Sequence, residues 1–147
     1  MAENQQQKKL RPNTKFLGSE SQDKILKEYI RGKEELKAVQ LAEELGYKLK
    51  KNGFTITKLR GFFNEVVRYD IKGEATKANV LMLKPKLAYM VGREYGDKKD
   101  VARVFKEIME IMIDELLSDD QIDKDKYKRF SNFLKSVVAY HKYYGGK

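Results

Sequence analysis

The sequence predicts an all-α domain, a compact bundle of about five or six helices. Three observations predict it. Lys, Glu, Leu, Ala and Met, all good helix formers, dominate the chain. Apolar residues recur three and four positions apart over long stretches. Strand-like alternation of β-branched residues is nowhere sustained, and only Pro12 and Pro85 punctuate the chain.

Residues 1–20 are polar and read as a tail outside the domain, which spans 21–147. Ser21 is placed to cap a helix beginning at Gln22, with Ile25, Leu26, Tyr29 and Ile30 at helical spacing. Gly32 breaks or bends it. The pattern resumes through Leu36, Val39, Leu41, Ala42, Leu45 and Leu49 and stops at Asn52-Gly53. Thr55 caps the next helix, whose stripe is Ile56, Leu59, Phe62, Phe63, Val66 and Val67, and Gly73 ends it. A short helix follows over about 74–83. Pro85 fits the first turn of another, carrying Leu87, Tyr89, Met90 and Val91 and ending near Gly96. Asp97 or Asp100 starts the most regular helix, with Val101, Val104, Phe105, Ile108, Ile111, Met112 and Leu116 on one face. Ser118-Asp119-Asp120 closes it. Asp123 caps the last helix, striped by Tyr127, Phe130, Phe133, Leu134, Val137, Val138 and Tyr140. No fixed-period repeat is visible, which argues against a solenoid.

The length of 147 residues suits one domain, and 41% hydrophobic residues suffice for one core. The absence of cysteine excludes disulfides, thiolate metal sites and a thiol nucleophile. The first residues lack the apolar stretch of a secretory signal, and no run approaches the roughly 18 apolar residues of a membrane span. These features point to a soluble, cytoplasmic protein. The formal charge of +9 points to a polyanion, most often nucleic acid. That charge is segregated. Residues 1–53 carry 12 basic and 8 acidic side chains, 54–95 carry 8 and 4, 96–123 carry 4 and 9, and 124–147 carry 7 and 1. A basic face suits a polyanion and an acidic one a neighbouring basic subunit.

Nothing reads as catalytic. The single histidine, His141, has no nucleophile elbow to serve and cannot supply a two-histidine metal motif. Glu107 with Glu110, and Asp119 with Asp120, read as solvated surface carboxylates. A helical ribonuclease signature, Arg a few residues before His, is absent, since Arg129 is the nearest upstream arginine. No phosphate-cradling glycine loop follows a strand. The chain is read as non-enzymatic, without metal or cofactor.

Three segments set basic residues among aromatic or small ones. In the first, residues 55–66, Lys58 and Arg60 fall near a helix N-terminus, which attracts phosphate, and Asn64 and Arg68 follow. Arg60 has an alternative reading as a structural ion pair with Glu65 or Asp70. The second, residues 84–93, holds Lys84, Lys86 and Arg93. Lys86 and Arg93 are two helical turns apart, roughly 10 Å by helix rise, a spacing resembling that of phosphates along a strand. The third, residues 137–147, clusters Tyr140, His141, Lys142, Tyr143 and Tyr144, residue types that stack on bases or flank a backbone. Tyr140 has a packed-core alternative, and His141 an alternative as a satisfied surface or boundary histidine.

Together these segments resemble the small α-helical subunit of type III-A CRISPR effector complexes, the Csm small subunit. The resemblance is carried by Thr55-x-Thr57-x-Leu59-Arg60-x-Phe62-Phe63, by Lys84-Pro85-Lys86-Leu87-Ala88-Tyr89 through Gly92-Arg93, and by Ala139-Tyr140-His141-Lys142 with Gly145-Gly146-Lys147. It covers residues 22–147. Gly61 departs from it, standing where a polar or basic residue is expected. The resemblance implies a non-catalytic subunit of an antiviral ribonucleoprotein. Several copies stack in a filament beside the backbone and large subunits and contact the backbone of the guide RNA–target RNA duplex without reading sequence. On this reading Lys58, Arg60, Arg68, Lys84, Lys86, Arg93, His141 and Lys142 are the RNA-binding residues, and the acidic segment 96–123 supplies part of a stacking surface. The alternative is a free-standing DNA-binding regulator with a helix-turn-helix at about 41–67.

Overall fold

The computed structural model describes residues 20–145, with side chains from Gln22 onward. The polar tail expected over 1–20 thus lies outside the described residues, apart from the backbone of Glu20. The described residues form an all-α bundle of seven helical segments: α1 (Glu20–Ile30), α2 (Glu35–Lys51), α3 (Ile56–Ile71), α4 (Lys77–Leu81), α5 (Leu83–Gly92), α6 (Gly96–Leu117) and α7 (Lys124–Tyr143). Only Met82 separates α4 from α5, so the pair is nearly one bent helix.

The predicted stops and starts have clear physical causes. At the end of α2, Gly53 adopts φ +84, a left-handed conformation that a side chain would disfavour. Its N–H donates to the Lys50 carbonyl at 3.1 Å, and the Phe54 N–H donates to the Leu49 carbonyl at 2.9 Å. This double bond satisfies carbonyls left open at the helix end and turns Phe54 into the core. The same pairing recurs around Gly73 at the end of α3. The Thr55 hydroxyl accepts from the Lys58 N–H at 3.3 Å and the Asp123 carboxylate from the Lys126 N–H at 3.0 Å, each opening a helix.

Three boundaries differ from expectation. Backbone helix already includes Glu20 and Ser21, so Ser21 is not the cap. The short helix begins at Lys77 because the Thr76 hydroxyl caps it by accepting from the Asn79 N–H. α5 ends at Gly92 and α6 begins at Gly96, before either predicted aspartate.

One continuous core joins all these segments. Its tightest seam lies between α2 and α7. Gly32 faces Arg129, Gly46 faces Val137, Tyr140 and His141, and Tyr47 meets Tyr144, so the two helices run parallel. At Gly46 a Cβ would sit 2.9 Å from the His141 backbone nitrogen, the Tyr140 Cβ and the Val137 carbonyl oxygen. Glycine costs a helix interior about 1 kcal/mol against alanine, yet here it permits a backbone approach that no other residue allows. The parallel pairing brings both helix C-termini to one end of the molecule.

Candidate nucleic-acid interface

The exposed side of α3 lies beside α5, and a groove of about 370 Å³ runs between them. Lys58, Lys86 and Arg93 line it, with Tyr89, Met82 and Pro85 on the α5 side and Gly61 and Phe62 on the α3 side. The two-turn separation of Lys86 and Arg93 therefore sets both on the same wall. Tyr89 is 67% exposed, and the Arg93 guanidinium lies 5.3 Å from its ring centre, a cation–π contact that orients the arginine. A Cβ on Gly61 would meet nothing within 4 Å. The departure at that position therefore leaves the wall of α3 low and open.

Four of the eight predicted residues are already in ion pairs. Glu65 accepts from Lys86 Nζ at 2.5 Å, from Arg68 Nη2 at 2.6 Å and from the Tyr69 hydroxyl at 2.7 Å. These donors, Lys86 foremost, pull its carboxyl down to about 2. Lys58 Nζ binds Glu94 at 2.5 Å, and the Glu94 side chain is buried. Lys84 turns away from the groove and pairs with Asp114 of α6 at 2.6 Å. Arg60 is exposed and has no ion pair among the described residues. The alternative pairing of Arg60 does not form, because Lys86 and Arg68 occupy Glu65 and Lys128 holds Asp70 at 2.7 Å.

The last two predicted residues lie elsewhere. His141 is 0% exposed, and its Nε2–H donates to the Phe54 carbonyl at 2.7 Å. Burial lowers its pKa, so the ring stays neutral at pH 7. Neither expectation for His141 holds: it is neither an RNA-facing group nor a surface or boundary histidine, because it faces the core and cannot meet an RNA at the surface. Lys142 is exposed at the shared C-terminal end of α2 and α7, apart from the groove.

Of the carboxylates that hold the groove cations, sequence reasoning named Glu65 only as a partner for Arg60 and did not single out Glu94. It also passed over Lys50 and Lys51, which stand near the end of α7. The Tyr47–Lys51 spacing of one helical turn was the available signal for that end.

The sequence model of the family described as Csm2 Type III-A matches residues 32–147. The chain belongs to this family. It is accordingly a small, all-α structural subunit of a type III-A Csm CRISPR complex, and its partners include the other subunits of that complex. A comparison with curated proteins finds no match. Family membership leaves the free-standing regulator without support, although α2, the Gly53 turn and α3 do follow one another as that reading required. Among the described residues, no helix is long and apolar enough to cross a membrane.

Proposed function

We propose that this subunit grips RNA by its phosphate backbone along the α3/α5 groove and has no catalytic role of its own. The observation that carries the reading is that Lys58, Lys86 and Arg93 line one groove, with the unpaired Arg60 on the adjoining exposed face of α3. Lys and Arg neutralise phosphates and so position a strand without specifying bases. Arg68 reinforces the groove through Glu65, while Lys84 and Lys142 add charge outside it. Guide and target RNA, held as a duplex, are the ligand this arrangement suits.

We further propose that copies stack in a row through unlike surfaces. Asp23, Glu107, Glu110 and Asp114 line a shallow acidic groove of about 280 Å³ between α1 and α6, which suits a basic face of the next copy.

The deciding experiment compares wild type with Lys86→Gln/Arg93→Gln in binding to RNA duplexes of several sequences across a salt series. Affinity falls equally for all sequences, and the log–log salt slope flattens by roughly 0.7 to 0.9 per lost contact. A shift in sequence preference at unchanged slope defeats backbone gripping. For the stacking, Glu107→Lys/Asp114→Lys lowers self-association in sedimentation.

A further inference from the structure

The shared C-terminal end of α2 and α7 carries an aromatic and basic patch distinct from the groove. Tyr47, Tyr144 and Tyr143 form a ladder, with ring centres 5.1 Å apart between the first two and 5.0 Å between the last two, each pair edge to face. The Tyr144 hydroxyl donates to Glu43 at 2.5 Å, which fixes the middle ring. The Lys51 ammonium lies 5.8 Å from the Tyr47 ring centre. The outermost ring, Tyr143, is 76% exposed. Lys50, Lys51 and Lys142 surround the ladder, all exposed and none in an ion pair among the described residues. The two helix C-termini bring about half a negative charge each, and Glu43 one more. The three lysine charges exceed these. An exposed tyrosine face beside unpaired cations matches an unpaired nucleotide, which offers a base to stack and a phosphate to neutralise. A duplex hides its base faces and has no use for the ring.

We infer that the tyrosine ladder and the lysines Lys50, Lys51 and Lys142 form a second RNA contact, one that takes single-stranded RNA by stacking an unpaired base on Tyr143. The inference rests on the reading that the subunit binds RNA, but it uses a different face and a different form of the ligand.

The test uses the full chain at low salt, a fluorescein-labelled U10 oligonucleotide and a labelled blunt 20-base-pair RNA duplex, read by anisotropy. Tyr143→Ala weakens U10 binding about 5- to 10-fold, the size of one lost stack, and changes duplex binding less than about twofold. Tyr143→Phe keeps U10 binding, since the ring face is retained. Lys50→Gln/Lys51→Gln weakens U10 and flattens its salt slope. Circular dichroism verifies that each variant keeps its helices. The inference is overturned by wild type failing to bind U10, by Tyr143→Ala leaving U10 unaffected, or by that variant losing U10 and duplex equally. Equal competition by a polyglutamate peptide of matched charge also overturns it, because the patch would then read charge alone, as for an acidic protein partner. The groove variant Lys86→Gln/Arg93→Gln separates the two readings. If it leaves duplex binding intact while Tyr143→Ala loses U10, the groove proposal fails and the ladder stands.

Discussion

The α3/α5 groove and the α2/α7 end are both basic and both show a tyrosine to solvent, yet their cations live differently. In the groove, Lys58 is tied to buried Glu94, and Lys86 and Arg68 share Glu65. At the α2/α7 end, Lys50, Lys51 and Lys142 hold no carboxylate among the described residues. A paired cation is ordered in advance, so little side-chain entropy remains to be lost on binding, but the carboxylate competes with phosphate. A free lysine has the opposite balance: it has no competitor, and its flexible stem must be ordered on contact. The groove is therefore built for geometry, and the far end for adaptable attraction.

The sharpest way to break this contrast is one chemical change made in both regions. Lys58→Met strands the buried Glu94 carboxylate and lowers unfolding free energy by about 3 kcal/mol in urea denaturation. Lys50→Met changes it by less than about 0.5 kcal/mol, as expected for a free surface cation. Next in size is Gly46→Ala. Its methyl group has no room against α7 and costs about 1–3 kcal/mol by thermal unfolding. That strain falls on the seam carrying the ladder, so U10 binding weakens while duplex binding in the groove holds.

Glu65→Gln releases Lys86 and Arg68 from their competitor and raises duplex RNA affinity a few-fold in a binding titration. It also removes a pH dependence. With its folded value near 2, below the ordinary 4.5, Glu65 contributes stability above pH 4.5, and that contribution disappears as pH falls from 4.5 towards 2. Acid unfolding of the variant lacks that component. The smallest effect is spectroscopic. His141 is the sole histidine, so its ring resonances in proton NMR are assigned at once. They titrate below 6.5, and duplex RNA leaves them unshifted. Its contribution to stability is likewise full above pH 6.5 and lost as pH falls below it.

Much of the fold was legible because its signals are local. A glycine after an apolar stripe, as at Gly53, needs only the last helical turn to act, and Thr55 and Asp123 cap within three residues. The site was legible in part for the same reason: Lys86 and Arg93 share a wall because one helix carries both. What depends on distant neighbours was not legible. His141 turns inward to a carbonyl 87 positions earlier, on Phe54. Whether a lysine is free or tied is likewise decided by tertiary contacts, as Lys58 and Lys50 demonstrate. Gly46 would pass in the sequence for a weak point in a helix, and only the packed α7 explains it.

The seam at Gly46 also has a consequence in time. α2 and α7 are the most intimately packed pair, yet more than 90 positions separate Gly46 from its neighbours Val137, Tyr140 and His141 along the chain. Contacts so distant form late in folding, since the intervening chain must first be ordered. During synthesis α2 packs only through its lesser contacts with α1 and α6 until α7 has emerged. A ribosome-bound chain stopped before α7 is therefore an open bundle, and completion of this one helix is the event that turns it into a subunit ready for assembly.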